Sequence, residues 1–262
     1  MNVAIFGGTF DPIHRGHLAV ARAAAEKFSL STVHFVPAYI PPHKQKQPIT
    51  SFGHRYTMLA LATEGDPRFV PSLLESPDVI QRSGSDASYS IDTVRRLRYR
   101  LKKSDKLYFI IGMDAFADIA KWRSPVELLR ECEFIVANRP GYSLADVAKS
   151  LPNELRPPED AIRPFLKEEA HGTLVIQGAT IHLLADVNED VSSTTIRQAA
   201  AKRGQTLEKL VGDAVADYIR KLHLYKPGEP VQDGAGRKGR GGLHVVGGRE
   251  HLDEEAPPAK ND

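Results

Sequence analysis

Residues 2–18 read NVAIFGGTFDPIHRGHL. The opening NVAIFGG is a short apolar run that stops at glycines, which predicts a buried parallel strand. The residues that follow, GHLAVARAAAEKF, are Ala-rich and predict a helix. Between strand and helix stand two adjacent glycines, an Asp-Pro turn, and histidines at 14 and 17. Gly7 and Gly8 let backbone come close to a ligand, and the helix start that follows offers free N–H groups to an anion. In an open parallel sheet, ligands bind at the C-terminal ends of the strands, where this turn falls. His14 and His17 therefore sit at the rim of an anion site, where imidazoles donate to phosphate oxygens and, when protonated, offset charge. The glycine spacing is neither the dinucleotide fingerprint nor a Walker loop, so phosphates would be cradled in part by the histidines.

Outward from this stretch the pattern repeats. TVHFVP is a second strand ended by Pro37, and RYTMLALATEG a helix closed by Gly65. SIDTVRRLRYRLKK aligns Ile91, Val94, Leu97 and Leu101 on one helical face. KLYFIIGMD is a third buried strand, SPVELLREC a helix with Ser124 at the N-cap, and EFIVANRPG a fourth strand with its turn. Segment 151–170 is rich in proline and acidic residues and reads as a surface insertion. TLVIQGATIHLL suggests one or two strands; SSTTIRQAAAKR and VGDAVADYIRKLHL are helices. Alternating strands and helices predict an α/β, Rossmann-like open parallel sheet with helices on both faces.

The bulk numbers narrow the function. The chain has 262 residues and a net charge of +2, which disfavours binding to nucleic acid by bulk charge. Basic RRLRYRLKK (95–103) reads as a solvated helix face. One cysteine, Cys132, excludes an internal disulfide framework; it reads as an inert core thiol in an apolar strand. The other histidines show no metal-ligand spacing, and no metal site is expected. With no basic leader and no long apolar run, the expectation is a cytoplasmic protein that does not engage membranes. Residues 227–262 hold 8 Gly and 4 Pro and show no period, which predicts a disordered tail after a single domain over 1–226.

GGTFDPIHRGHL resembles the HxGH signature of the nucleotidyltransferase superfamily, and its wording is similar to the bacterial nicotinate-nucleotide adenylyltransferases. On the first motif alone, a pantetheine-phosphate adenylyltransferase or a cytidylyltransferase stays open. VSSTTIR (191–197) resembles the family's second signature, which grips the ATP phosphates and implies Ser193, Thr194 and Arg197. PAYIPPHK resembles the segment whose His43 and Lys44 meet the mononucleotide phosphate, although Ala38 and Tyr39 stand where the family often has Asn. ASYSIDTV implies that the Ser90 N–H meets the nicotinate carboxylate. GMDAFADIAKWRSP implies that Gly112 and Asp114 meet the nucleotide, that Trp122 stacks on the pyridine ring, and that the Arg123 N–H reads the carboxylate. ANRPGY adds Arg139.

The resemblance covers Val3 to about Tyr225. It implies adenylyl transfer from ATP, with Mg²⁺ carried on ATP, to nicotinate mononucleotide. The implied catalytic residues are His14, His17, Lys44 and Arg197; Gly7, Gly8, Thr9 and Phe10 join them around ATP. Three other readings stay open: an enzyme preferring or also using the nicotinamide nucleotide, a non-catalytic nucleotide-binding protein, and a nucleic-acid-binding protein. A homo-oligomer is also open.

Overall fold

The computed structural model describes residues 1–42, 48–137, 143–163, 172–185, 187, 191–201 and 207–226. Among these residues, seven strands form one sheet: β1 (Asn2–Gly8), β2 (Thr32–Pro37), β3 (Phe69–Pro71), β4 (Lys106–Gly112), β5 (Glu133–Ala137), β6 (Gly172–Ile176) and β7 (Ala179–Leu184). Their order is β3-β2-β1-β4-β5-β7-β6. Every pairing is parallel except β6 with β7, a hairpin at the edge. The doubly wound sheet is as expected. β3 has only three residues and shows no period, so sequence reading passed over it.

The central strands are buried on both faces. On β1, Val3 and Ile5 enter one core while Ala4 and Phe6 enter the other. β4 repeats this, with Leu107, Phe109 and Ile111 on one side and Tyr108 and Ile110 opposite. This is the two-fold alternation of a pleated strand with apolar residues on both sides. Helices α1 (Arg15–Lys27) and α2 (Phe52–Thr63) feed the second core. Between α2 and β4 lie α3 (Pro77–Arg82) and α4 (Ser90–Arg98), and α4 buries Ile91, Val94 and Leu97 in the first core, as its spacing predicts.

Three readings need correction. Ser124 precedes α6 (Pro125–Glu131; α5 is Met113–Phe116), but its backbone is left-handed and its side chain makes no cap; Pro125 at the first helical position does the starting. Cys132 lies between α6 and β5, not within a strand; it is buried, and burial pushes its thiol far above the usual range. The start of segment 151–170 is not a surface insertion. After α7 (Leu144–Ser150), Leu151 and Leu155 are fully buried in the first core, and Ile162 of α8 (Glu159–Ile162) packs on α7 residues. Pro152 opens the turn between the two leucines, its carbonyl accepting the Leu155 N–H at 2.9 Å.

The sheet order reverses between β1 and β4, the topological switch point of such a fold. Gly7–Gly8 and Gly112, which end those two strands, flank the crevice there.

Candidate active site

The first motif is packed before any ligand arrives. A Cβ on Gly8 would lie 3.0 Å from the Phe10 ring, and one on Gly7 would lie 3.3 Å from Phe109. These glycines thus answer to the protein's own packing as well as to a ligand. Phe10 has a left-handed backbone (φ 49°) and a buried ring. Its side chain is spent on the core, which leaves its backbone N–H as the group for the expected ATP contact. The ring packs edge-on against His17, with centroids 5.0 Å apart. Asp11-Pro12 is a cis peptide and leads into His14, the N-cap of α1.

The two histidines are coupled. Their rings stack with centroids 3.6 Å apart, and the His14 backbone N–H donates to His17 Nδ1 at 3.3 Å. Burial first, and then the neighbouring His14, hold His17 well below the ordinary histidine range. Both effects, with Nδ1 accepting an N–H, favour the neutral ring. Because Nδ1 accepts, its one ring proton sits on Nε2, which is left to donate. The site offers a neutral donor here, rather than the protonated imidazole that was one option.

The second motif folds onto the first. Helix α9 (Ser193–Ala201) starts after Ser192, whose Oγ accepts the Thr195 N–H at 3.2 Å. Ser193 Oγ donates to Pro12 O at 3.0 Å, and Arg197 Nη1 donates to Asp11 O at 2.7 Å. Arg197 Nη2 also donates to Thr194 Oγ1 at 3.2 Å. In this arrangement the Ser193 hydroxyl and part of the Arg197 fork brace the histidine turn rather than stand open to phosphate. The backbone N–H groups of Ser193 and Thr194 belong to the first turn of α9, where intrahelical acceptors are lacking. Beyond α10 (Leu207–Val211) and α11 (Asp213–Lys221), the Tyr225 hydroxyl donates to Asp11 Oδ1 at 2.7 Å, and Asp11 Oδ2 accepts the Thr50 N–H.

Among the described residues, three cavities with shared lining residues lie at and beside the strand ends. One, of ≈ 340 Å³, is lined by His14, His17, Ser192 and Ser193 among others. A central one, of ≈ 680 Å³, shares Gly7, Gly112 and Asp114 with it and adds Gly8 and Thr9. A third, of ≈ 120 Å³, shares Ser90 and Trp122 with the central one and adds Tyr89 and Arg123. Trp122 lies edge-on to Phe109, with centroids 6.4 Å apart. The Arg123 guanidinium lies 4.5 Å over the Tyr89 ring. Ser90 is the first residue of α4, so its N–H lacks an intrahelical acceptor.

The crevice thus gathers Gly7, Gly8, Thr9, His14, His17, Gly112, Asp114, Ser193, Ser90, Trp122 and Arg123 along one line. His43, Lys44 and Arg139 lie outside the described residues. Sequence reading passed over Arg55, buried in α2. It donates to Thr9 O, Ala38 O and Thr50 O at 2.7–2.8 Å and so ties three loops of the crevice together. It also passed over Glu75, Ser88 and Lys121, which line the central cavity. Each sits in a segment without a signature of its own. Only an arginine and a glutamate at otherwise apolar or buried positions could have flagged the first two.

Comparison with known proteins places the chain in a family. The cytidylyltransferase-like family model spans residues 5–199. A probable nicotinate-nucleotide adenylyltransferase of Moorella thermoacetica is 41% identical over 226 residues, covering 86% of this chain and 92% of the relative. One of Thermoanaerobacter is 39% identical, covering 87% and 96%. The fold is shared with Plasmodium falciparum nicotinic acid mononucleotide adenylyltransferase complexed with NaAD. That structure has a TM-score of 0.59 at 20% identity and is matched over 86% of this chain and 97% of its own. The chain belongs to the cytidylyltransferase-like family and, within it, to the nicotinate-nucleotide adenylyltransferases.

Proposed function

We propose that this protein transfers the adenylyl group of ATP to nicotinate mononucleotide, giving deamido-NAD and pyrophosphate. The observation that carries this reading is the row of cavities that share lining residues. It has a stacked histidine pair at one end, a tryptophan pocket with a free helix-start N–H at the other, and a roomy middle between them. A dinucleotide product has that shape, with a base and ribose at each end and phosphates between.

The mononucleotide's phosphate oxygen attacks the α-phosphorus of ATP, and the bond to pyrophosphate breaks. The attacking oxyanion needs no protein base, so catalysis is positioning and charge stabilisation. The His17 Nε2–H would meet an α-phosphate oxygen, with His14 stacked behind it. The first-turn amides of α9 and the Thr194–Arg197 pair would hold the leaving pyrophosphate. Lys44 would place the attacking phosphate, with His43 beside it, and Arg139 would meet the adenine nucleotide. Mg²⁺ would enter on ATP, held by phosphate oxygens and water. Trp122 would cover the pyridine ring, and the Ser90 and Arg123 N–H groups would read the carboxylate. A carboxylate accepts from both; a carboxamide would set a donor against a donor, which burial makes costly. We assign the catalytic unit to residues 1–226.

The experiment is pyrophosphate release with Mg-ATP and three acceptors: nicotinate mononucleotide, nicotinamide mononucleotide and phosphopantetheine. Strong preference for the first is expected. Equal use of the two pyridine nucleotides would overturn the Ser90–Arg123 account, and no turnover would overturn the activity.

A further inference from the structure

A buried carboxyl that the reaction does not use lies directly behind the acceptor end of the crevice. Glu75 is 6% exposed and borders the central cavity. The Thr93 hydroxyl donates to its Oε1 at 2.6 Å, and Ser88 lines the same cavity. Ser88 is more than a neighbour. Its Oγ accepts the backbone N–H groups of Tyr39 and Ile40, at 3.1 and 3.3 Å. The Ser88 N–H in turn donates to Ile40 O at 2.9 Å. With both acceptor sites of its oxygen occupied, the Ser88 hydroxyl has one use left, which is to donate its proton. Glu75 would receive it. Thr93 stands one turn into α4, the helix that Ser90 opens.

Two separate strips of backbone therefore meet at one carboxyl. One is the 38–42 loop, which leads to the expected phosphate-holding residues His43 and Lys44. The other is the 88–90 strip, which carries the amide expected to read the nicotinate carboxylate. We propose that Glu75 is a positioning residue for the acceptor nucleotide. It orients the Ser88 and Thr93 hydroxyls so that the phosphate loop and the carboxylate-reading strip keep a fixed separation. The proposal rests on the acceptor assignment above for its substrate, but not for its mechanical content.

Hydrogen-bond arithmetic separates position from charge. In Glu75→Gln, the amide oxygen still accepts from Ser88. The amide N–H can donate to Thr93 Oγ1, whose own proton already has the Tyr89 carbonyl within 3.3 Å. The reach is kept and the charge is lost. Glu75→Asp keeps the charge and loses the reach, and Glu75→Ala loses both.

The test measures amide hydrogen exchange of peptides covering 38–42, together with binding by Trp122 fluorescence, the chain's one tryptophan. The ligands are nicotinate mononucleotide and, separately, a non-hydrolysable ATP analogue. In Ala and Asp variants we expect faster exchange at Tyr39 and Ile40 and about tenfold weaker acceptor binding, with little change for the ATP analogue. Gln is expected to rescue both readouts. Unchanged exchange in Ala or Asp, a Gln variant as impaired as Ala, or equal losses for both ligands would overturn the proposal. If the wild-type protein binds no nicotinate mononucleotide, the acceptor assignment fails, and the exchange measurement still decides the role of Glu75. Should the Ala variant not fold, the Asp and Gln pair carries the same contrast.

Discussion

The imidazoles of His14 and His17 lie 3.6 Å apart at 29°, and the backbone N–H of the first caps the ring of the second. The stack fixes which nitrogen of His17 faces a ligand as a donor. His17→Ala is expected to lower kcat about 10²–10³-fold, the range for losing one preorganised donor at developing charge. Circular dichroism should stay that of the wild type, since α1 keeps its backbone bonds to His14 O. Turnover close to wild type would remove His17 from the mechanism.

The same burial has a consequence for acid stability. His17 in the folded protein is held well below 6.5, first by burial and then by His14. The unfolded chain takes up the proton more readily, so the stability from a neutral His17 is full above about pH 6.5 and falls away as pH drops below it. The melting temperature of the apo-protein is expected to fall more steeply below that pH in the wild type than in His17→Gln. Parallel curves would contradict the assigned burial. A bound phosphate would draw His17 back up, so ATP binding should take up protons on the acid side, measurable by calorimetry in two buffers.

How much of this was readable from the chain follows from the range of each interaction. The strand-glycine-helix succession at 2–18 is local, and so it announced both the fold and the anion site. The partners of Asp11 are not local. Tyr225 reaches it from 214 positions away and Arg197 its carbonyl from 186. No period or motif spacing encodes those contacts, so Arg197 read as a phosphate ligand while its brace on the turn stayed hidden. The packing of Phe10 stayed hidden for a related reason: its neighbours in the motif are expected to face a ligand, but a left-handed backbone turns its ring into the core. Glu75 and Arg55 satisfy backbone and hydroxyl groups brought together only by the closed sheet.

Gly8 offers a test of packing against ligand approach. An added Cβ would meet three atoms of the Phe10 ring at 3.0–3.2 Å. The ring is buried against Phe6 and Phe35 and has little room to yield. Gly8→Ala is expected to cost about 1–3 kcal/mol in urea unfolding, the usual penalty of overpacking. Because Phe10 also leans on His17, kcat should fall with it. A variant as stable as wild type but with weakened ATP binding would show instead that the glycine serves only the ligand.

The proposed C-terminal limit of the catalytic unit, residue 226, can be tested by truncation. Tyr225 is held by Asp11, and burial with the adjacent carboxylate pushes its hydroxyl far above the ordinary tyrosine range, so it stays a donor at every working pH. Asp11 is buried with its other oxygen on Thr50. Removing the tyrosine hydroxyl leaves a buried carboxylate oxygen short of a donor, at a cost of about 1–3 kcal/mol. Truncation after Lys226 is therefore expected to leave turnover and melting temperature unchanged. Truncation after Leu224 should lower both, and Tyr225→Phe in the full chain should reproduce the stability loss. If the longer truncation proved harmless, the Tyr225–Asp11 bond would have no part in holding the histidine turn. If the shorter one were already damaging, the catalytic unit would extend past residue 226.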